Sequence, residues 1–195
     1  MTRVFHDSHM PRKLFHALTA SIIPTVYLFE PVPRSLVTAL MVAAAFGWLA
    51  FDTARIRNEK VNLWFARHFA FLMKKKEAHV LTGVAYMLGG TALALILFSP
   101  VIAVTVLYFI SLGDPAAAIL GKKFGRFRLH NGRSLEGSLA MFAVCVAVAV
   151  GIGGFPLPLS VAGAAAAAAA ELYSGPVDDN LTVPLISGAV LAALG

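Results

Sequence analysis

ISLGDPAAAILGKKFGRFRLHNGRSLEGS, residues 110–138, is the stretch on which the reading of the whole chain turns. It puts an acid, Asp114, inside an apolar run over residues 101–120 and follows it with a basic loop. An ionisable side chain in a hydrophobic span is costly, which marks Asp114 as a candidate functional residue. Pro115 lacks the N–H that would bond the Ser111 carbonyl, so a helix here leaves a free backbone oxygen about one turn from the Asp114 carboxylate. With the Ser111 hydroxyl, these oxygens suit a hard cation such as magnesium, which takes few protein ligands and shares its shell with water and phosphates. A kinked helix carrying a hydrogen-bonded aspartate would have the same sequence.

Downstream, Lys122, Lys123, Arg126, Arg128 and Arg133 form a dense cationic loop. Cations beside a buried acid suit a polyphosphate, because phosphoryl transfer depends on positioning and charge neutralisation. Gly121 and Gly125 let backbone approach phosphates, and Ser134 offers a hydroxyl and helix N-terminal amides to an anion. Glu136 fits a plain anion site poorly and makes better sense as a metal ligand or an arginine partner. The competing reading is a loop that merely obeys the positive-inside rule. Near the end of the chain, Asp178, Asp179 and Asn180 read either as the cap of a final helix or as a further place for magnesium or a nucleotide.

Of the 195 residues, 58% are hydrophobic and only 13% charged, the composition of a membrane protein. The net charge of +6 lies in short loops between apolar spans, which argues against nucleic acid as a partner. Cys145 falls inside an apolar run, so the chain has no disulfide framework. No GxxxxGK[ST], HExxH, CxxC or GxSxG occurs, which removes a soluble-type P-loop and the common zinc and serine-hydrolase signatures.

The expected architecture is an all-α integral membrane protein: a single polytopic domain over residues 1–195 with about seven transmembrane helices. A first span is retained behind the basic N-terminus, with no small-x-small cleavage site following it. Others cover residues 36–51, 79–98, 101–120, 135–154, the alanine-rich 163–173, and Asp178 to the end. The last two are shorter than the roughly 20 residues of a comfortable crossing. Residues 57–79 are too charged to cross; Trp64, Phe65, Phe69 and Leu72 recur at helical spacing, as in an interfacial helix or a buried connector. Alternating the spans gathers Arg3, Arg12, Lys13 and both later basic clusters on one side, which is then cytoplasmic, N-terminus included. Asp52, Glu77, Glu136, Glu171, Asp178 and Asp179 fall on that side. Arg12, Lys13, His16, Asp52, Arg55 and Glu77 are further candidates to frame the cavity that holds Asp114 and Ser111.

RKLFH, EAHVLTGVAYMLGG, SLGDPAAAILGKKFGR, RSLEGSLA and DDNLTVPL occur in that order over nearly the whole chain. Together they resemble the family of dolichol kinases, phytol kinases and CTP-dependent diacylglycerol kinases. The resemblance implies an integral membrane enzyme, its site facing the cytoplasm, that uses CTP and a divalent cation, Mg2+, to phosphorylate a lipid alcohol. The acceptor would be a polyprenol or dolichol, phytol, another isoprenoid alcohol or diacylglycerol, and the products a lipid monophosphate and CDP. It implies a site lined by Asp114, the 122–126 loop, residues 133–137 and Asp179-Asn180. Asp114 and Glu136 would act at the metal and, with Lys122, in catalysis. Gly121, Lys122, Lys123, Gly125, Arg126, Arg133, Ser134, Asp179 and Asn180 would hold the nucleotide and its phosphates. Arg133 stands where the family often has lysine, which keeps the charge. The chain is also distantly similar to phosphatidate cytidylyltransferases, which would make a CDP-lipid instead. A non-enzymatic lipid-binding or transport protein is the remaining alternative, and a homodimer is left open.

Overall fold

The computed structural model describes residues 9–69, 77, 79–128, 132–173 and 177–195. Its elements are α1 (His9–Phe29), α2 (Arg34–Arg57), α3 (Glu59–Phe69), α4 (Gly83–Leu97), α5 (Pro100–Tyr108), a π-helical turn (Phe109–Gly113), α6 (Asp114–Phe124), α7 (Leu135–Gly151), α8 (Leu157–Leu172) and α9 (Asp179–Leu194). Among the described residues the lone strand-like pairing is a bridge between Arg128 and Ser134. The fold is thus all-helical. Two continuous helices, Arg34–Arg57 and Pro100–Phe124, are long and apolar enough to cross a membrane; Ala17–Phe29, Gly83–Leu97, Leu135–Gly151, Leu157–Leu172 and Asp179–Leu194 are shorter apolar helices. Leu18, Phe29, Leu40, Phe46, Ile96 and Leu157 point their side chains outward, a surface suited to lipid. The alanine-rich helix begins at Leu157, ahead of residue 163, because Pro158 sits in its first turn, where a missing N–H costs nothing.

The element carrying Asp114 is the centre of the bundle. Residues 103–111 of α5 and the π turn are all buried, with α1, α4, α7 and α9 packed around them. Pro115 removes one backbone donor, and the widened turn just before it is where the helix absorbs that loss. Ser111 is buried in this turn, and its hydroxyl accepts from Ser21 Oγ of α1 at 3.1 Å.

Close helix approach rests on small residues. A Cβ at Gly90 of α4 would lie 2.3 Å from the Asn180 carbonyl oxygen of α9, whereas one at neighbouring Gly89 would meet nothing within 4 Å. Gly90→Ala is therefore expected to push α4 off α9 and cost about 1–3 kcal/mol, while Gly89→Ala stays near wild type. Thermal unfolding of the two variants in one detergent checks this; equal midpoints would contradict the packing.

At the other side of the bundle, Asp52 and Arg55 of α2 are fully buried. Arg55 Nε donates to Asp52 Oδ1 at 2.9 Å, its Nη1 to Asn62 Oδ1 at 2.7 Å and its Nη2 to the Val80 carbonyl at 2.9 Å. Asp52 Oδ2 accepts from both the N–H and the hydroxyl of Thr82, each at 2.8 Å. Phe65 of α3 seals this cluster beneath the guanidinium and against Trp48 and Phe51, while Trp64, Arg67 and His68 are exposed. So α3 is an amphipathic helix seated on α2. Leu72 lies outside the described residues.

Candidate active site

The helix that begins with Asp114 meets α7, α8 and α9 around a cavity of about 390 Å³, within the range of small-molecule sites. Asp114, Glu171 and Asp179 bring carboxylates to it; Lys122, Arg128 and Arg133 bring cations; Ser134 and Ser138 bring hydroxyls. Small residues make the floor. A Cβ at Gly137 would lie 2.7 Å from the Ala117 carbonyl, and one at Gly121 would lie 2.7 Å from Ser134 Oγ, so α6 and α7 touch backbone to backbone here. Gly125 is equally constrained, its Cβ position 2.8 Å from Ser134 Oγ. Gly121 and Gly125 thus make close contacts between α6 and the start of α7.

Two caps fix the lining. Ser134 N-caps α7, its hydroxyl accepting from Gly137 N at 3.1 Å. Asp178 N-caps α9, accepting from Asn180 N at 3.2 Å. Arg133, just ahead of the first cap, reaches across to both other helices: its guanidinium meets Glu171 Oε1 of α8 at 2.6 Å and Asp179 Oδ2 of α9 at 2.8 Å. Burial works against the Arg133 charge, but the two carboxylates outweigh it and hold its pKa above the ordinary arginine value. Ser138 Oγ donates to the second Glu171 oxygen at 3.3 Å. Asp114 and Glu171 line the same cavity from α6 and α8.

Of the residues singled out from sequence, Asp114, Gly121, Lys122, Arg133, Ser134 and Asp179 line this cavity. Glu136 is turned elsewhere. Its Oε1 accepts from the backbone N–H groups of Arg126 and Phe127 at 2.9 and 3.1 Å, so it anchors the basic loop instead of facing Asp114. Lys123 is exposed, its ammonium over the Phe124 ring, and Arg126 is exposed beside Glu136. Asn180 is buried where α9 meets α4, and its side-chain amide donates to the Asp178 carboxylate. Asp52, Arg55 and Glu77 belong to the buried cluster under α3, and Ser111 faces α1; none of these lines the cavity. Arg12, Lys13 and His16 lie on α1, with side chains outside the described residues.

Sequence reasoning counted Arg128 in the cationic loop suited to a polyphosphate but assigned neither it nor Glu171 to the site. Glu171 ends a run of alanines, so the signal was present: an acid on an apolar helix, as with Asp114. Arg128 carried only the signal it shared with the other cations of its loop, and nothing local set it apart from them.

These features define an all-helical protein with two helices long and apolar enough to cross a membrane and a polar, charged pocket among four helices. Three similar proteins narrow the class. The chain is 32% identical over 139 residues to a CTP-dependent diacylglycerol kinase 1 of Eremothecium gossypii, covering 70% of this chain and 44% of that one. It is 31% identical over 140 residues to the CTP-dependent diacylglycerol kinase 1 of Saccharomyces cerevisiae, covering 70% and 48%. An uncharacterized protein of Rickettsia prowazekii is 32% identical over 139 residues, covering 70% and 66%. The chain thus spans about half the length of the two named kinases. No protein-family profile matches it, and no solved structure does. The two kinases support the CTP-dependent lipid kinase family, without singling out a member.

Proposed function

We propose that the protein phosphorylates a membrane lipid alcohol at the expense of CTP, transferring the γ-phosphate to give a lipid monophosphate and CDP. The observation that carries this reading is the polarity of one cavity: buried carboxylates at Asp114 and Glu171 beside exposed cations at Lys122 and Arg128. A nucleotide triphosphate with a divalent cation needs that pairing, because phosphoryl transfer is catalysed largely by positioning and charge compensation.

The donor set suits magnesium. All candidate ligands are oxygens, and no group of three or more His, Cys, Asp or Glu side chains converges tightly enough to cage an ion among the described residues. Magnesium prefers one or two carboxylates and fills its octahedron with water and phosphate oxygens. Asp114 and Glu171 are the residues that would hold it. The Arg133 guanidinium seated between Glu171 and Asp179 supports this wall of the cavity as a place for positive charge. When bound, the ion supplies positive charge against the phosphate oxygens. Lys122 meets the triphosphate as a point charge, and the small floor at Ala117, Gly121 and Gly137 lets the nucleotide lie against backbone. The lipid hydroxyl enters from the bilayer side, and the cytoplasmic face admits CTP.

Diacylglycerol and isoprenoid alcohols both fit an apolar approach, since hydrocarbon tails ask for little specific chemistry. Purified protein, magnesium and a panel of lipid alcohols plus phosphatidate would be incubated with CTP labelled either at the γ-phosphate or in the cytidine ring. Gamma label extracted with lipid is expected, and names the acceptor. Ring label in the lipid phase would sink the kinase reading in favour of a CDP-lipid synthase.

A further inference from the structure

The two arginines of the cavity are in opposite electrostatic states, one paired with carboxylates and the other resting on neutral oxygens. Arg133 is gripped at 2.6 and 2.8 Å by two carboxylates, so its charge is more than cancelled where it sits. An incoming phosphate would have to displace Glu171 and Asp179 to use it. Arg128 also lines the cavity, but its guanidinium rests on neutral oxygens: Nη2 on the Gly121 carbonyl and Nη1 on the Gly132 carbonyl, each at 3.3 Å. Among the described residues no carboxylate pairs with it. Such long bonds to neutral acceptors are readily traded for short charge-assisted ones.

The backbone holds Arg128 at this mouth. Glu136 Oε1 binds the amides of the two preceding residues, Leu135 N donates to the Phe127 carbonyl at 3.0 Å, and Arg128 pairs with Ser134 across the loop. The placement of the side chain is therefore built by Glu136 and the start of α7, while its charge stays available.

We propose that Arg128 is the guanidinium that takes the polyphosphate, with Arg133 a positioning strut that ties α7 to α8 and α9. Building on the kinase reading, this names the phosphate contact, yet it can be tested separately. The probe is inorganic tripolyphosphate, with CTP alongside, titrated into the detergent-solubilised protein by calorimetry. Arg128→Gln is expected to weaken both by about tenfold to a hundredfold, the loss of one charged fork. Arg128→Lys should recover part of the affinity, because the charge returns without the fork. Lys60→Gln, an exposed charge loss on α3, controls for net charge and should bind as wild type.

A residue that merely caps α6 would move the melting midpoint and leave binding alone, so tripolyphosphate affinity within twofold of wild type in Arg128→Gln overturns the proposal. Gamma transfer at wild-type KM in that variant would also overturn it, with the kinase reading intact. Arg128-dependent tripolyphosphate binding without any transfer would instead sink the kinase reading and keep this contact.

Discussion

Asp114→Asn is expected to lower γ-phosphate transfer by about 10²–10³-fold or more while the protein stays folded, on the scale seen when one electrostatic stabiliser is removed. The change keeps the shape of a buried side chain and removes its carboxylate, in a cavity that Glu171 also lines, one helical turn from Ala117 and Ala118. Helical content and melting midpoint should stay near wild type, since asparagine fills the same volume and keeps a hydrogen-bonding oxygen at the same place. Transfer measured with γ-labelled CTP, beside circular dichroism of the same preparation, checks both halves. Turnover within a few-fold of wild type would remove Asp114 from the chemistry.

Arg55→Met is expected to be the most destabilising single change, about 3–5 kcal/mol, because it leaves the Asp52 carboxylate buried and uncompensated. The cost falls on structure. Arg55 joins α2 to α3 through Asn62 and to the start of α4 through Val80, while Asp52 holds Thr82, the N-cap position of α4. Replacing both charges, as Asp52→Leu with Arg55→Met, should recover much of the loss, since an apolar pair of similar volume avoids the desolvation penalty. Folded yield and thermal midpoint in detergent measure this. An unchanged midpoint in Arg55→Met would show that the cluster bears no load.

How the site was legible depends on the kind of signal each residue carries. Asp114 stood out because a charge inside an apolar run is a local anomaly, visible without knowing the fold. Asp178 was legible as a cap because N-cap chemistry acts within one turn of chain, whereas Ser134, read from sequence as an anion contact, accepts from Gly137 N as the cap of α7. Pro115 announced a disturbed helix, though not that the disturbance takes the form of a π turn ahead of it. Glu136 and Glu171 mark the limit. Both are acids at helix ends, and nothing local tells which one turns toward Asp114. Glu136 is captured by two amides of the preceding loop, and Glu171 is brought to the cavity by the packing of α8 on α7 and α9.

By itself, then, the sequence determined an all-helical, apolar chain with an acid buried before a basic loop, because hydrophobic runs, proline and caps act over a few residues. Only the tertiary structure decided which charges share the cavity. Arg133 is neutralised by acids 38 and 46 positions away in the chain while Arg128 is left with carbonyls. Electrostatic pairing depends on distance in space, and distances between helices are set by how glycines such as Gly90, Gly121 and Gly137 let backbones meet.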